Sequence, residues 1–236
     1  MPTPHAIDHK QPAMSCTTSE IFKTLPPAAL AELATLELVE PYAANQTLFE
    51  EKQASTRVFI LLEGQVKLSM NSIDGKRLIL RIARPGEFLG LTSVLSGTEH
   101  EMMAESLYPC KIASLRRQDF LNFLLRYPAA YESLARCLSH DYSHACEHLR
   151  TVGLASTAPI KLARLLLEWC TFGQQTELGT RLRLTLTHGE IGECIGTSRE
   201  TVTRTLSDFK HRQLVDMRGS TLMIPNRMAL ASYAEM

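Results

Sequence analysis

The stretch that most constrains the fold of this chain is Thr187 to Lys210, THGEIGECIGTSRETVTRTLSDFK. Ile191 and Ile195 stand four apart and give a short helix one apolar face. Gly196 follows as its stop, because a residue without Cβ tolerates the positive φ at a helix C-terminus. Ser198 then sits where an N-cap belongs, with Thr201 three residues on. A second helix buries Val202, Leu206 and Phe209, at spacings of four and three. Its opposite face shows Arg199, Glu200, Thr203 and Arg204. An anchored apolar face with polar N-terminal turns is the layout of a helix-turn-helix. Arginine grips guanine O6 and N7 with two donors, and glutamate accepts from cytosine N4. Ser198, Arg199, Glu200, Thr201, Thr203 and Arg204 are therefore the candidate DNA contacts. The competing reading is an ordinary surface helix with an ion-pair face.

Charge fits a selective binder better than a coating one. The chain carries 25 basic and 25 acidic side chains. Between Ser198 and Arg212, however, Arg199, Arg204, Lys210 and Arg212 outnumber Glu200 and Asp208. That local excess positions a protein on phosphates without high non-specific affinity.

The rest of the chain changes period twice. The polar, proline-rich start MPTPHAIDHKQPAM has no apolar core of a signal peptide, so residues 1–18 read as a flexible arm of a cytoplasmic protein. No apolar run approaches the ~20 residues that cross a bilayer, so no membrane partner is expected. Ser19 to Leu38 reads as two short helices broken by Pro26-Pro27. From about Val39 to Leu115 the period is two: Val66, Leu68 and Met70, then Leu78, Leu80 and Ile82, with a hairpin at Asp74-Gly75. Short strands with glycine turns predict a small β barrel or sandwich. Helical period returns at Gln118–Tyr127, giving a sensor domain over residues 19–127. Pro128 then opens a long helix in segment 128–154.

Leu134, Leu138, Tyr142, Ala145, Leu149 and Val152 form an apolar stripe on that helix close to a coiled-coil seam. Such a seam needs a partner: the β domain, a second copy, or both. Residues 155–236 hold a helix over Ile160–Phe172, a polar loop over Gly173–Thr180, and a strand through Leu182, Leu184 and Leu186. After the helix-turn-helix come two strands that read as a wing. No glycine-rich phosphate loop, Ser-His-Asp order or paired catalytic carboxylates stand at usable spacing, so an enzyme is not expected.

The order of parts resembles the CRP/FNR family of bacterial transcription regulators. The motifs are LLEGQVKL and SIDGKRLILRIARPGEFLG before the long helix and TSRETVTR after it; the likeness runs from about Ile21 to Met228. It implies an α+β chain: an N-terminal cyclic-nucleotide-binding-like β roll, a dimerisation helix and a C-terminal winged helix-turn-helix. It also implies a homodimer on a palindromic operator of double-stranded DNA. Arg199, Glu200 and Arg204 fall on the family's base-reading positions, in the variant that resembles the cyclic AMP receptor protein, so a TGTGA-like half-site is implied. Dyad-related helices would then reach major grooves about 34 Å apart. The loop Thr171 to Thr180 is implied to meet RNA polymerase.

The sensor departs from the family pattern. Cyclic-nucleotide binders carry Gly-Glu and then Arg-Ser or Arg-Thr around the phosphate. Here Gly90 precedes Leu91, and His100-Glu101 stand at the Arg-Ser place. Gly90, His100 and Glu101 are therefore the candidate effector pocket, and because a carboxylate there repels a phosphate, cyclic AMP is not the expected effector. An iron-sulfur cluster is not expected either. Of six cysteines only Cys16 lies in the arm, with Cys110 at the β-roll place. Those two are a candidate redox pair, against a reading of Cys110 as core. No CxxC pair suggests structural zinc. His140, His144 and His148 recur every four residues beside Cys137, a candidate metal or haem site, against a polar helix face. The effector itself is left open, with control by abundance alone as the alternative.

Overall fold

The computed structural model describes residues 22, 25–155 and 157–235. Contacts divide these residues into two units: those up to Leu68 with Ile82–Ser139, and Ser69–Arg81 with the residues from His140 onward. The β-roll strands are β1 (Leu38–Tyr42), β2 (Thr47–Phe49), β3 (Arg57–Glu63), β4 (Val66–Asn71), β5 (Arg77–Ala83), β6 (Phe88–Leu89), β7 (Met103–Ser106) and β8 (Cys110–Arg116). They form two four-stranded sheets, ordered β1-β8-β3-β6 and β2-β7-β4-β5. Ahead of them is α1 (Pro27–Leu36). The rest of the expected N-terminal helical pair, apart from Phe22 and Leu25, and the arm lie outside the described residues.

Strand β3 explains why the period-two pattern fades at FILL. It is buried on both faces. Phe59 and Leu61 join a cluster with Phe49, Val66, Leu68, Leu89, Ala104 and Ile112. Val58, Ile60 and Leu62 join a second cluster with Phe22, Leu33, Phe120, Phe123 and Leu134. Each such side chain contributes about 1.5–3 kcal/mol by leaving water. Phe22 locks the second cluster, edge-on to Phe88 at 5.6 Å and to Phe123 at 6.4 Å.

Gly90 and Gly97, expected as turns, instead bound a short helix, α2 (Leu91–Ser96). Both adopt left-handed φ, 71° and 75°, which only glycine holds cheaply. Helices α3 (Arg117–Arg126) and α4 (Ala129–Leu149) follow, separated at Pro128 as expected. The long helix finishes in a π-helical turn, Arg150–Leu154.

Within the second unit, the residues from Ala158 onward form a winged helix-turn-helix. Helix α5 (Ala158–Cys170) starts on Thr157, whose hydroxyl accepts from the Ile160 N–H. Strands β9 (Gln174–Thr176) and β10 (Gly179–Arg183) form a hairpin where the sequence predicted only a polar loop. Helices α6 (His188–Ile195) and α7 (Arg199–His211) lead to β11 (Asp216–Arg218) and β12 (Thr221–Ile224). The four strands make one sheet, β11-β12-β10-β9. A final helix, α8 (Arg227–Ala234), was not expected. Asn226 caps it, Leu230 is buried, and Tyr233 meets Phe209 edge-on at 5.2 Å. Among the described residues no helix is long and apolar enough to cross a membrane.

Candidate nucleic-acid interface

The geometry of α6 and α7 is set by local chemistry. Thr187 and Glu190 form a reciprocal capping box: the Glu190 N–H donates to the Thr187 hydroxyl at 3.2 Å, and the Thr187 N–H donates to Glu190 Oε2 at 2.9 Å. Gly196 ends α6 at φ 63°. Inside α6, Gly192 is needed for a different reason: a Cβ there would stand 2.6 Å from the Thr197 carbonyl oxygen. That close approach lets the turn fold back over the helix. Ser198 starts α7 by accepting from the Thr201 N–H at 3.2 Å. Val202, Thr205, Leu206 and Phe209 are buried beneath it.

This anchoring turns Arg199, Glu200, Thr203 and Arg204 outward; all four are exposed. Glu200 is held below the usual carboxylate range, first by hydrogen bonding of its own backbone N–H and then by the Ser198 hydroxyl. It is thus an ionised acceptor beside two guanidinium donors. Ser198 and Thr201 carry caps, and Thr205 donates to the Thr201 carbonyl at 2.8 Å. Beyond α7, Gly219 at φ 60° turns the wing and leaves Arg218 exposed at its tip, 3.4 Å from Asp216. Sequence reasoning missed two features here. One is Arg218 as a wing cation. The other is His188 on α6, whose Nδ1 lies 2.9 Å from the Thr203 hydroxyl. Its position at the start of α6, fixed by the Thr187 cap, was the available signal.

The sensor candidates fare differently. Gly90 and His100 do come together: a Cβ on Gly90 would stand 2.7 Å from His100 Cε1. His100, however, is only 4% exposed, stacked on Phe49 at 3.9 Å, with Nδ1 2.8 Å from the Ser93 hydroxyl. Burial lowers its pKa, against a weaker upward pull from Glu101. Glu101 itself is exposed. Of the candidate effector-pocket residues, His100 is thus a packed histidine beside Gly90, and burial disfavours its charged form.

A pH effect follows. A histidine whose folded pKa is depressed contributes stability above the unfolded value of about 6.5, and that stability is lost as pH falls through the folded value. Wild-type melting temperature should therefore drop on moving from about pH 7 to pH 5, and His100→Gln should show a smaller drop, measured by calorimetry.

Cys110 is 5% exposed, with its thiol 3.0 Å from the Tyr108 carbonyl and 3.2 Å from that of Gln65. Burial pushes its pKa up, so the thiol stays protonated and slow to react. Its proposed redox partner Cys16 lies outside the described residues. The three histidines of α4 do not converge. The His140 and His144 rings pack 4.6 Å apart, His144 Nδ1 lies 3.9 Å from Glu168, and His148 has its Nε2 buried without a hydrogen-bond partner, its pKa lowered by burial. Among the described residues no group of three His, Cys, Asp or Glu side chains is placed to hold a metal ion.

Comparison with known proteins matches both halves of the chain. Residues 160–233 match the family described as Crp-like helix-turn-helix domain, and residues 39–127 match the cyclic nucleotide-binding domain. The CRP-like cAMP-activated global transcriptional regulator of Mycobacterium tuberculosis is 27% identical over 91% of this chain and 96% of its own. The nitrogen fixation regulation protein FixK of Bradyrhizobium diazoefficiens is 27% identical over 91% of each. Among solved structures, FixK2 from Bradyrhizobium japonicum superposes with a TM-score of 0.74 over 83% of this chain and 96% of that one, at 22% identity, a likeness of fold.

Proposed function

This chain belongs to the CRP/FNR family of transcription regulators, and from that membership we propose that it binds an inverted-repeat operator in the cytoplasm as a homodimer. The family is one of regulators, not enzymes. The observation that carries the operator reading is the capped α7, with Arg199, Glu200 and Arg204 exposed over a buried anchor. Two donors on each guanidinium suit guanine, and an ionised carboxylate suits cytosine N4. A half-site close to TGTGA fits that set.

The test is a gel shift at two salt concentrations on a duplex with inverted TGTGA half-sites and on a scrambled duplex of equal composition. We expect the palindrome to bind at least about a thousandfold more tightly at physiological salt. Equal binding to both duplexes would sink the reading. The β9–β10 hairpin, with Phe172 and Leu178 exposed beside it, is the surface we assign to RNA polymerase. Polar replacements there should abolish activation in a transcription assay and leave the gel shift intact. Loss of both would refute that division.

For the sensor, the named relatives differ: one is called cAMP-activated and the other a nitrogen fixation regulator. The burial of His100 against Gly90 and Phe49 favours a β roll that does not take cyclic AMP and holds its shape without it. A ligand at a hundredfold its Kd stabilises by about 2.7 kcal/mol. Cyclic AMP should give no such shift in a thermal denaturation, and a clear shift would restore it as the effector.

A further inference from the structure

The first helix of the reading unit carries a titratable ring that the operator reading has not used. His188 is the first residue of α6, and its Nδ1 lies 2.9 Å from Thr203 Oγ1 on α7. Thr203 Oγ1 also lies 2.9 Å from the Arg199 carbonyl oxygen, which can only accept. A hydroxyl has one proton to give, and this one is directed to Arg199. In the bond to His188 the hydroxyl must then accept, so the ring nitrogen donates: the neutral tautomer carries its proton on Nδ1. That leaves Nε2 as a lone-pair acceptor, with no partner among the described residues. A neutral ring of this tautomer repels a phosphate oxygen. An imidazolium donates to it from Nε2 and adds a positive charge.

We propose that His188 is a proton-linked phosphate contact, held by Thr203 so that its Nε2 meets the DNA backbone only after taking up a proton. The inference rests on the DNA-binding reading, and it assigns Thr203 to positioning the ring. Helix N-termini at an interface of this kind approach phosphates and fix register. The other charged groups on the two helices are Glu190, engaged in the α6 cap, and Glu193 on α6, and Arg199, Glu200, Arg204, Asp208 and Lys210 on α7, whose last residue His211 is the second imidazole. Carboxylates, ammonium and guanidinium groups as classes change charge outside the imidazole range, which leaves His188 and, at the far end of α7, His211 to be told apart by substitution. The sign is fixed: DNA that meets only the charged ring binds more tightly as pH falls, and that extra affinity is lost as pH rises.

The experiment measures affinity for the palindromic and scrambled duplexes between about pH 8 and about pH 5.5 at constant ionic strength. The wild type, His188→Gln and His211→Gln are compared. Wild type and His211→Gln should tighten as pH falls, by up to about tenfold per pH unit for each proton taken up. His188→Gln cannot take up that proton and should be flat, with a salt slope at acid pH smaller by about one per subunit. A phosphate contact carries no sequence, so the pH slope should appear on both duplexes. Loss of palindrome preference with the slope retained sinks the operator reading alone. A flat or opposite wild-type slope, or a His188→Gln slope equal to wild type, overturns the proton-linked contact. Long-range nitrogen spectra of the free protein give a second check: the neutral ring should be protonated on Nδ1, and a proton on Nε2 would overturn the assignment.

Discussion

Arg199→Ala should weaken binding to the palindromic duplex by about 1–3 kcal/mol per half-site, a loss of about 5- to 150-fold for each, and relax base choice at the position it reads. The reasoning runs through placement. Arg199 is the first residue of α7, exposed, and the turn before it is fixed by the Ser198 cap and the Gly192 approach. Its removal takes away two donors with no change in the buried face formed by Val202, Leu206 and Phe209. Stability should therefore stay within about 0.5 kcal/mol of wild type, and the scrambled duplex should lose only what one charge gives on phosphates. Titration of both duplexes checks it. An unchanged palindrome affinity would mean that α7 does not enter the major groove in this orientation.

The second large effect concerns α4. Tyr142 is 74% exposed and Leu149 is 65% exposed in the single chain, and both lie on the stripe that begins with buried Leu134. A large apolar side chain gains about 1.5–3 kcal/mol on leaving water, and a seam of several such residues is enough to hold two copies together. Tyr142→Asp should split the proposed dimer, because an unpaired carboxylate buried in the seam costs several kcal/mol. Operator binding should fall with it, by at least about a hundredfold, because a monomer reaches only one half-site. Light scattering at micromolar protein reads the assembly, and circular dichroism confirms that the substituted chain still folds. A variant that stays dimeric and fully active would place the subunit contact elsewhere.

What the sequence made legible follows the range of the forces involved. The helix-turn-helix was readable because its signals are local: Ile191 with Ile195, Gly196 at φ 63°, and Ser198 with Thr201; the Thr187–Glu190 capping box, equally local, went unread. The β roll was readable from period two and from Asp74-Gly75, where Gly75 has φ 78°. Helix α2 was not, because its six residues are too few to show a period and its flanking glycines mimic turns. The β9–β10 hairpin hid for a similar reason: Gln174–Thr176 is polar and exposed, and only pairing reveals it. The packing of His100 was not legible because it stacks on Phe49, brought in by the fold from a distant strand. The histidines of α4 have metal-like spacing, yet spacing along one helix does not by itself gather three ligands, and among the described residues no such group forms.

Sequence separation also orders how the second unit gains its shape. The contacts that shape the reading helices join residues three to five apart, such as Thr187 to Glu190 and Gly192 to Thr197, while β10 meets β12 with Thr180 opposite Ile224. Closing the longer loop costs the chain roughly 2 kcal/mol more entropy than closing the short ones. On a growing polypeptide the caps and the turn between the reading helices can close as soon as they are made, whereas the helices gain their anchor, through Tyr233 on Phe209, and their bracing sheet only when the last elements arrive.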